Sequence, residues 1–530
     1  MKKLMLLIGV WILSQMGLNA QTSPFQLELE PFTISSLPGL HSYAFTQHNG
    51  KWLILGGRTN GLHGFQPPFA FPLASQNTNI YVVDPVLQQS WSVSTASLPQ
   101  NIQEHIASSN MEGVRIGNYY YFIGGYGFST PANELITFPN VTAIDVPALI
   151  NAVVNQLPVT SYFRQITDPN LALCGSRAEV IDSTVFLVFG HQFDGRYNPH
   201  NMPSFTQVYS NQIRKFNISD NGTVFTINNY TSITDTVNFH RRDYNLAPQI
   251  FPNGASGITA FSGVFQYAID RPYLNTIDIT SSGYTVNNNF EQLLSQYHSA
   301  LIPFYDSTAA TMHTLFFGGM SQYLYDINNV LIEDTLIPFV KTISLVSRNS
   351  NQQIEIRVPY EMPGYLGSNM EFYRADGIDA YDNGIIKLTE IDTGKVLVGY
   401  LHGGIEADYP YVFMNGGGNS WASDKIFKVY ITKNTNTGLM VPASGINSFS
   451  YFPNPVKDEL TINFELASKL HINCSLYDTT GKLVSLFENS MMPAGKNRLI
   501  IKTYKLPAGV YTMSFNAGGA FKNVPVVITK

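Results

Sequence analysis

Lys51-Trp52-Leu53-Ile54-Leu55-Gly56-Gly57 reads as a buried strand that stops on two glycines, and the pattern returns along the chain. It recurs as Tyr119-Tyr120-Tyr121-Phe122-Ile123-Gly124-Gly125, as Val185-Phe186-Leu187-Val188-Phe189-Gly190 and as Thr314-Leu315-Phe316-Phe317-Gly318-Gly319, with weaker copies at Ile258 to Gly263 and Val396 to Gly404. Glycine has no Cβ, so a strand can end there in a tight turn without steric penalty. After each copy comes an alternating strand: Asn79 to Val83, Val141 to Asp145, Gln212 to Phe216, Leu274 to Asp278, Val340 to Ser344 and Lys425 to Tyr430. Self-similarity of this kind marks a repeat architecture, here of six units at roughly 72 residues each.

An outer strand follows in five units: Ser90 to Val93, Ser161 to Arg164, Thr223 to Ile227, Gly283 to Val286 and Gln353 to Val358. The sixth unit runs instead into the polar stretch Asn434 to Gly438. Its missing strand stands at the other end of the chain, as Phe25-Gln26-Leu27-Glu28-Leu29. An N-terminal strand that completes the last unit closes a ring and removes exposed sheet edges.

A strand ending in Gly-Gly, a loop and an alternating strand together resemble the kelch repeat, and Leu40-His41-Ser42-Tyr43-Ala44 and Trp91 make the first unit the best match. The resemblance implies an all-β fold, a six-bladed kelch-like β-propeller over residues 21–433. The units exceed the roughly 50 residues of a kelch repeat, so the surplus falls in loops. One insertion, Pro147 to Asn155, is apolar enough for a short helix.

The chain ends carry addresses. Residues 1–20 have Lys2 and Lys3, a short apolar run from Leu4 to Leu13 and a small-residue end at Ala20, which is the pattern of an export signal peptide. About ten apolar residues are too few for the ~20 that span a bilayer, and no later segment is long and apolar enough. At the other end, Pro453-Asn454-Pro455, then Asp478-Thr479-Thr480-Gly481-Lys482, then Leu506-Pro507-Ala508-Gly509-Val510-Tyr511 and the terminal Lys530 punctuate a run of short alternating strands. They predict a small C-terminal β-sandwich over 451–530, after a linker at 434–450. The ordered motifs resemble the type A C-terminal sorting domain of the type IX secretion system. That resemblance implies passage through the periplasm and across the outer membrane, with the type IX machinery as partner, and a secreted or surface-attached product.

Only 13% of the 530 residues are charged, against 44% hydrophobic, which excludes bulk disorder. Lys plus Arg number 31 and Asp plus Glu 37, so a net charge of -6 gives no basic field for nucleic acid. Two cysteines, Cys174 and Cys474, make neither a disulfide framework nor a thiolate metal cluster. There is no His-x-x-x-His, no Cys-x-x-Cys and no Gly-x-Ser-x-Gly elbow, and Gly416-Gly417-Gly418 lacks the strand-to-helix setting of a phosphate loop. No metal or cofactor is expected. Neither is the Cys–Tyr crosslink of copper oxidases built on kelch-like propellers.

The innermost strand of each unit is predicted to begin near Leu40, Ser109, Gly175, His240, Tyr297 and Ser368, around a common channel. His41, Glu112, Arg177, Arg242, His298 and Glu371 then form a polar ring at one mouth, a candidate site for a ligand or simply the lining of a hydrated channel. The aromatic loop Gly64 to Pro72 can stack on sugar faces, anchor a protein partner or cap the core. Asp235-Thr236-Val237 and Asp334-Thr335-Leu336 fit a short O-glycosylation pattern common enough to occur by chance. The reading favoured is a non-catalytic scaffold for a glycan or protein ligand. The alternative is a carbohydrate-active enzyme like the sugar-acid mutarotases, with Glu112 or Glu371 as acid/base and Arg177 or Arg242 gripping a carboxylate.

Overall fold

Strands that alternate apolar and polar residues pair antiparallel here, and the structure, a computed structural model, sets them in small sheets. It describes residues 23–434 and 446–530, apart from 201–203, 328, 413–417, 467–468, 479–482 and 518–519. The expected signal peptide at 1–20 lies outside the described residues. Two units result, Ser23–Asn434 and a C-terminal one from Thr435 onward.

Among the described residues the larger unit holds six sheets, each with an antiparallel core of four strands, beside three two-stranded ones. From inside outward, the first is Ala44–His48, Lys51–Leu55, Asn79–Asp84 and Gln89–Ser94, and the second is Glu112–Ile116, Tyr119–Ile123, Asn140–Asp145 and Phe163–Thr167. The third is Arg177–Ile181, Thr184–Val188, Gln212–Asp220 and Phe225–Thr234, and the fourth is Asn245–Ile250, Ser256–Phe261, Thr276–Thr280 and Gly283–Asn287. The fifth is Ala300–Asp306, Thr311–Phe317, Thr342–Arg348 and Gln353–Glu361. The sixth is Tyr365–Arg374, Lys395–Ala407 and Ile426–Lys433, completed by Phe25–Phe32 from the N-terminus. Phe25 stands opposite Lys433 and Leu29 opposite Val429. Phe25, Leu27 and Leu29 are buried, while Glu28 and Glu30 face outward and reach Lys395 (2.6 Å) and Lys428 (2.8 Å).

The paired glycines do more than end strands. Gly57 donates its N–H to the Ser108 carbonyl (2.8 Å), Gly125 to Leu173 (2.8 Å) and Gly190 to Arg241 (3.0 Å), each time in the segment leading into the next sheet, and Gly319 donates to Leu366 (3.4 Å) at the start of the sixth sheet's first strand. Gly404 donates to Leu40 (2.9 Å), which joins the sixth sheet to the first. A Cβ on Gly124 would lie 2.1 Å from the Leu173 oxygen, so the first glycine of the pair is required by the neighbour's approach. A separate apolar cluster fills every gap between successive sheets, Trp52 with Tyr373 and Tyr400 closing the one between sixth and first. The arrangement is an all-β, propeller-like fold.

The predicted insertion is the helix Val146–Val154, whose Asp145 carboxylate caps the Ala148 N–H at 3.1 Å. A second helix, Gln100–Ile106, lacks a sequence cap and was not expected. The second sheet's outer strand starts at Phe163, after a single turn at Thr160–Tyr162, rather than at Ser161.

In the C-terminal unit, a three-stranded sheet (Ile446–Phe452, Glu459–Leu466, Gly495–Lys502) faces a four-stranded one (Leu483–Met492, Leu470–Tyr477, Gly509–Ala517, Ala520–Ile528) over a core that includes Phe464, Cys474 and Phe515. Its first strand starts ahead of the boundary expected at 451, because Phe449 and Tyr451 pack on that core. Among the described residues no helix is long and apolar enough to cross a membrane.

Candidate functional site

Five inner strands are entered through one turn, and the sixth carries the same turn within Tyr365–Arg374. Ser42, Asn110, Gly175, Asp243, His298 and Asn369 sit at equivalent positions with φ between +52° and +60°. Left-handed backbone penalises most side chains, and Gly, Asn and Asp tolerate it best. Backbone bonds link the turns: the Asn110 N–H donates to Ser42 (3.1 Å), Gly175 to Asn110 (3.1 Å), Asp243 to Gly175 (3.1 Å) and Asn369 to His298 (2.6 Å).

Two residues beyond the turn, in five of the six strands, a residue borders the shared cavity. Ala44, Glu112, Arg177, Asn245 and Glu371 hold these places in the wall of a cavity of about 570 Å³, to which the fifth strand adds Ser299 and Leu301. The loop residues Asp382, Asn383 and Gly384 belong to the same wall.

The cavity's charges are few and interdependent. Arg177 reaches Glu371 with Nη1–Oε1 at 3.3 Å and Nη2 at 3.4 Å, both side chains largely buried. Burial pushes the Glu112 carboxyl up to about 8; Arg177 opposes this and Glu371 adds to it. Burial raises Glu371 as well, against the pull of Arg177, and lifts Glu179 to about 7. Burial acts to lower Arg177, but Glu371 and Glu112 outweigh it and hold the guanidinium charged. One guanidinium thus serves several carboxyls, and at neutral pH part of them stay protonated.

The six candidates from the sequence separate into two groups. Glu112, Arg177 and Glu371 meet in the cavity. His41 and Arg242 precede the left-handed turn and form backbone bridges with Arg58 and Val264, just past the second strands of their own sheets, while His298 occupies the turn itself, so these three are not in the cavity wall. His298 Nδ1 lies 3.7 Å from Asp243 Oδ1, and Arg242 is also paired to Asp243. Burial holds His41 near 3 and His298 well below the ordinary value, with Arg58 next for His41 and Arg177 next for His298, so both rings are neutral at pH 7. Sequence reasoning missed Glu179, which strand alternation from Arg177 could have supplied, and Asn245, whose side chain binds Gln296 (2.8 Å) and Ser299 (3.0 Å) of the next unit. The aromatic loop turns inward: Phe71 packs on His63 and Tyr126, Phe65 on Tyr197, and Phe69 alone of these rings stands 72% exposed. Among the described residues no group of three His, Cys, Asp or Glu could hold one metal ion.

In the C-terminal unit the Pro453-Asn454-Pro455 motif ties the sandwich shut. The Asn454 side chain donates to the Pro525 carbonyl (2.9 Å) and accepts from the Val527 N–H (2.8 Å), acting on the last strand as a short strand partner. Tyr511 donates to the Pro507 carbonyl (2.9 Å). Asp478 borders the turn, whose Gly481 and Lys482 lie outside the described residues, and Gly509 opens the strand that carries Tyr511. Residues 450–529 match the family of secretion system C-terminal sorting domains. The chain therefore carries a type IX sorting domain and is an exported protein of the cell surface or extracellular space. No curated protein matches the sequence. A solved structure titled "Structure of YjhT" aligns with 74% of this chain and 97% of its own, at 9% identity and a TM-score of 0.40.

Proposed function

We propose that the exported unit is a six-bladed, kelch-like β-propeller serving as a binding scaffold, and that its central channel takes a small polar ligand of glycan type. One observation carries this reading: Glu112, Arg177, Glu179 and Glu371, from the second, third and sixth inner strands, share a cavity of about 570 Å³ in a chain otherwise poor in charge. Buried charges are costly unless they are paired or serve a ligand. The inward packing of Phe65 and Phe71 counts against a loop-borne site for a protein partner. The test is a glycan array probed with residues 21–530 and with Arg177→Ala. Retention of a glycan by the first and not the second is expected, and retention by neither would remove the channel reading.

A second reading, a carbohydrate-active enzyme in the manner of sugar-acid mutarotases, is favoured by the Glu112 carboxyl near 8 beside Glu371 in one cavity, since an acid and a carboxylate set apart by environment suit proton transfer. Glu112→Gln separates the two. Binding kept with turnover lost means enzyme, and binding without turnover in either form means scaffold.

A further inference from the structure

We infer that a second ligand site, separate from the channel, lies in the groove between the outer strands of the fourth and fifth sheets, and that it takes an uncharged, hydroxyl-rich carbohydrate. The groove measures about 670 Å³ and shares no residue with the channel cavity. One wall is the edge strand Gly283–Asn287 with the turn before it; the other is the turn Asn349–Gln352 that joins the two outermost strands of the fifth sheet.

The floor is built before any ligand arrives. Arg348 Nη1 donates to Asp278 Oδ1 (3.0 Å) across the two sheets, and its Nε donates to Gln353 Oε1 (2.7 Å), which also accepts from Asn287 Nδ2 (3.0 Å). Asp278 Oδ1 takes a further bond from Thr259 (2.6 Å), so both bonds fall on one oxygen. Arg348 is 8% exposed, its guanidinium lies 5.5 Å from the Phe251 ring centroid, and its Nη2 has no hydrogen-bond partner. A buried donor left unpaired inside an otherwise satisfied network points to a group the protein alone does not supply.

The chemistry of the walls selects the ligand. Asp278 and Arg348 neutralise each other, and the remaining polar groups are amides and hydroxyls, such as those of Asn253, Thr280, Ser282 and Asn351. Amides and hydroxyls offer donors and acceptors together, which matches sugar hydroxyls and gives an anion no net attraction. No large exposed apolar residue borders the groove, which leaves a protein partner without an anchor.

The experiment titrates residues 21–530 with maltotriose, cellotriose and triacetylchitotriose, read by saturation-transfer NMR and calorimetry. Ser282→Trp fills the groove from an exposed turn without touching the core, and Asn351→Ala removes an amide of the opposite wall. At least one trisaccharide is expected to bind, to weaken about tenfold or more in both variants, and to bind Arg177→Ala as it binds the parent. Three non-binding sugars would overturn the site. So would binding that survives Ser282→Trp or is lost in Arg177→Ala, which would put the sugar in the channel and leave that reading standing.

Discussion

Arg177 and Glu371 meet at 3.3 Å although their strands belong to the third and sixth sheets, three places apart around the ring in either direction. The contact spans the lumen. It joins opposite walls through side chains alone, and Glu112 beside it keeps its proton because burial outweighs the pull of Arg177.

Arg177→Met should destabilise the larger unit by about 1 to 3 kcal/mol, a figure below that of a fully buried pair because both side chains keep some solvent contact. The cost should depend on pH. At pH 5 Glu112 and Glu179, which burial raises to about 8 and about 7, hold protons and need no partner, and Glu371 loses the pull that Arg177 exerted against its own rise, whereas at pH 9 ionised carboxylates around the vacated place repel. Urea unfolding at both values checks this, and an equal cost would mean that Arg177 acts through packing.

Glu112→Gln reads the raised carboxyl directly. Its folded value near 8 stands above the ordinary 4.5, so the native state binds the proton more tightly than the unfolded chain does. The stability this provides is fully present below about pH 4.5 and is lost as pH rises through 8. The glutamine variant has no such loss. It should match the parent at pH 4 and exceed it at pH 9 by on the order of 2 to 4 kcal/mol, measured by thermal melting. A variant weaker than the parent at both values would contradict the assignment.

The repeat was legible because it is written in residues that physics leaves little choice about. Gly124 cannot carry a Cβ against the Leu173 oxygen, and the closing strand Phe25 to Leu29 alternates as its pairing with Val429 to Lys433 demands. The site was half legible for a reason of register. His41 and Arg242 resemble Glu112 and Arg177 in being charged or titratable near a strand start, but they precede the left-handed residue that redirects the chain, and only residues after it face the axis. Ser42, Gly175 and His298 share that conformation without sharing a residue type, so the turn could not be aligned by eye. The outer groove left no sequence signal, since Asp278 and Arg348 are 70 positions apart and meet only when two sheets pack.

Removing residues 21–34 should open the sixth sheet. Phe25, Leu27 and Leu29 are 1%, 8% and 7% exposed, and each buried side chain contributes roughly 1.5 to 3 kcal/mol. The loss also bares the backbone of Ile426–Lys433 as an edge that templates association. Leu29→Asp is the milder version, and should lower the melting temperature without altering the chain's length. A trimmed protein that melts with the parent and stays monomeric would show that the strand is not needed for closure.

Export should fail when the C-terminal sandwich is removed, and the place of the cut should matter. Ending the chain at residue 445 removes the unit whole, whereas ending it at 450 leaves most of the strand Ile446–Phe452 without the partner Glu459–Leu466 that holds it. Both truncated proteins lack the sorting domain matched at 450–529 and should accumulate in the periplasm with the larger unit folded, as its six sheets draw no strand from beyond Lys433. The longer product carries Phe449 exposed on an unpaired strand and should be the more readily degraded or aggregated of the two. Cell fractionation with limited proteolysis of the periplasmic fraction measures both effects. Surface display of either truncated chain at the level of the intact protein would take the address away from the C-terminus.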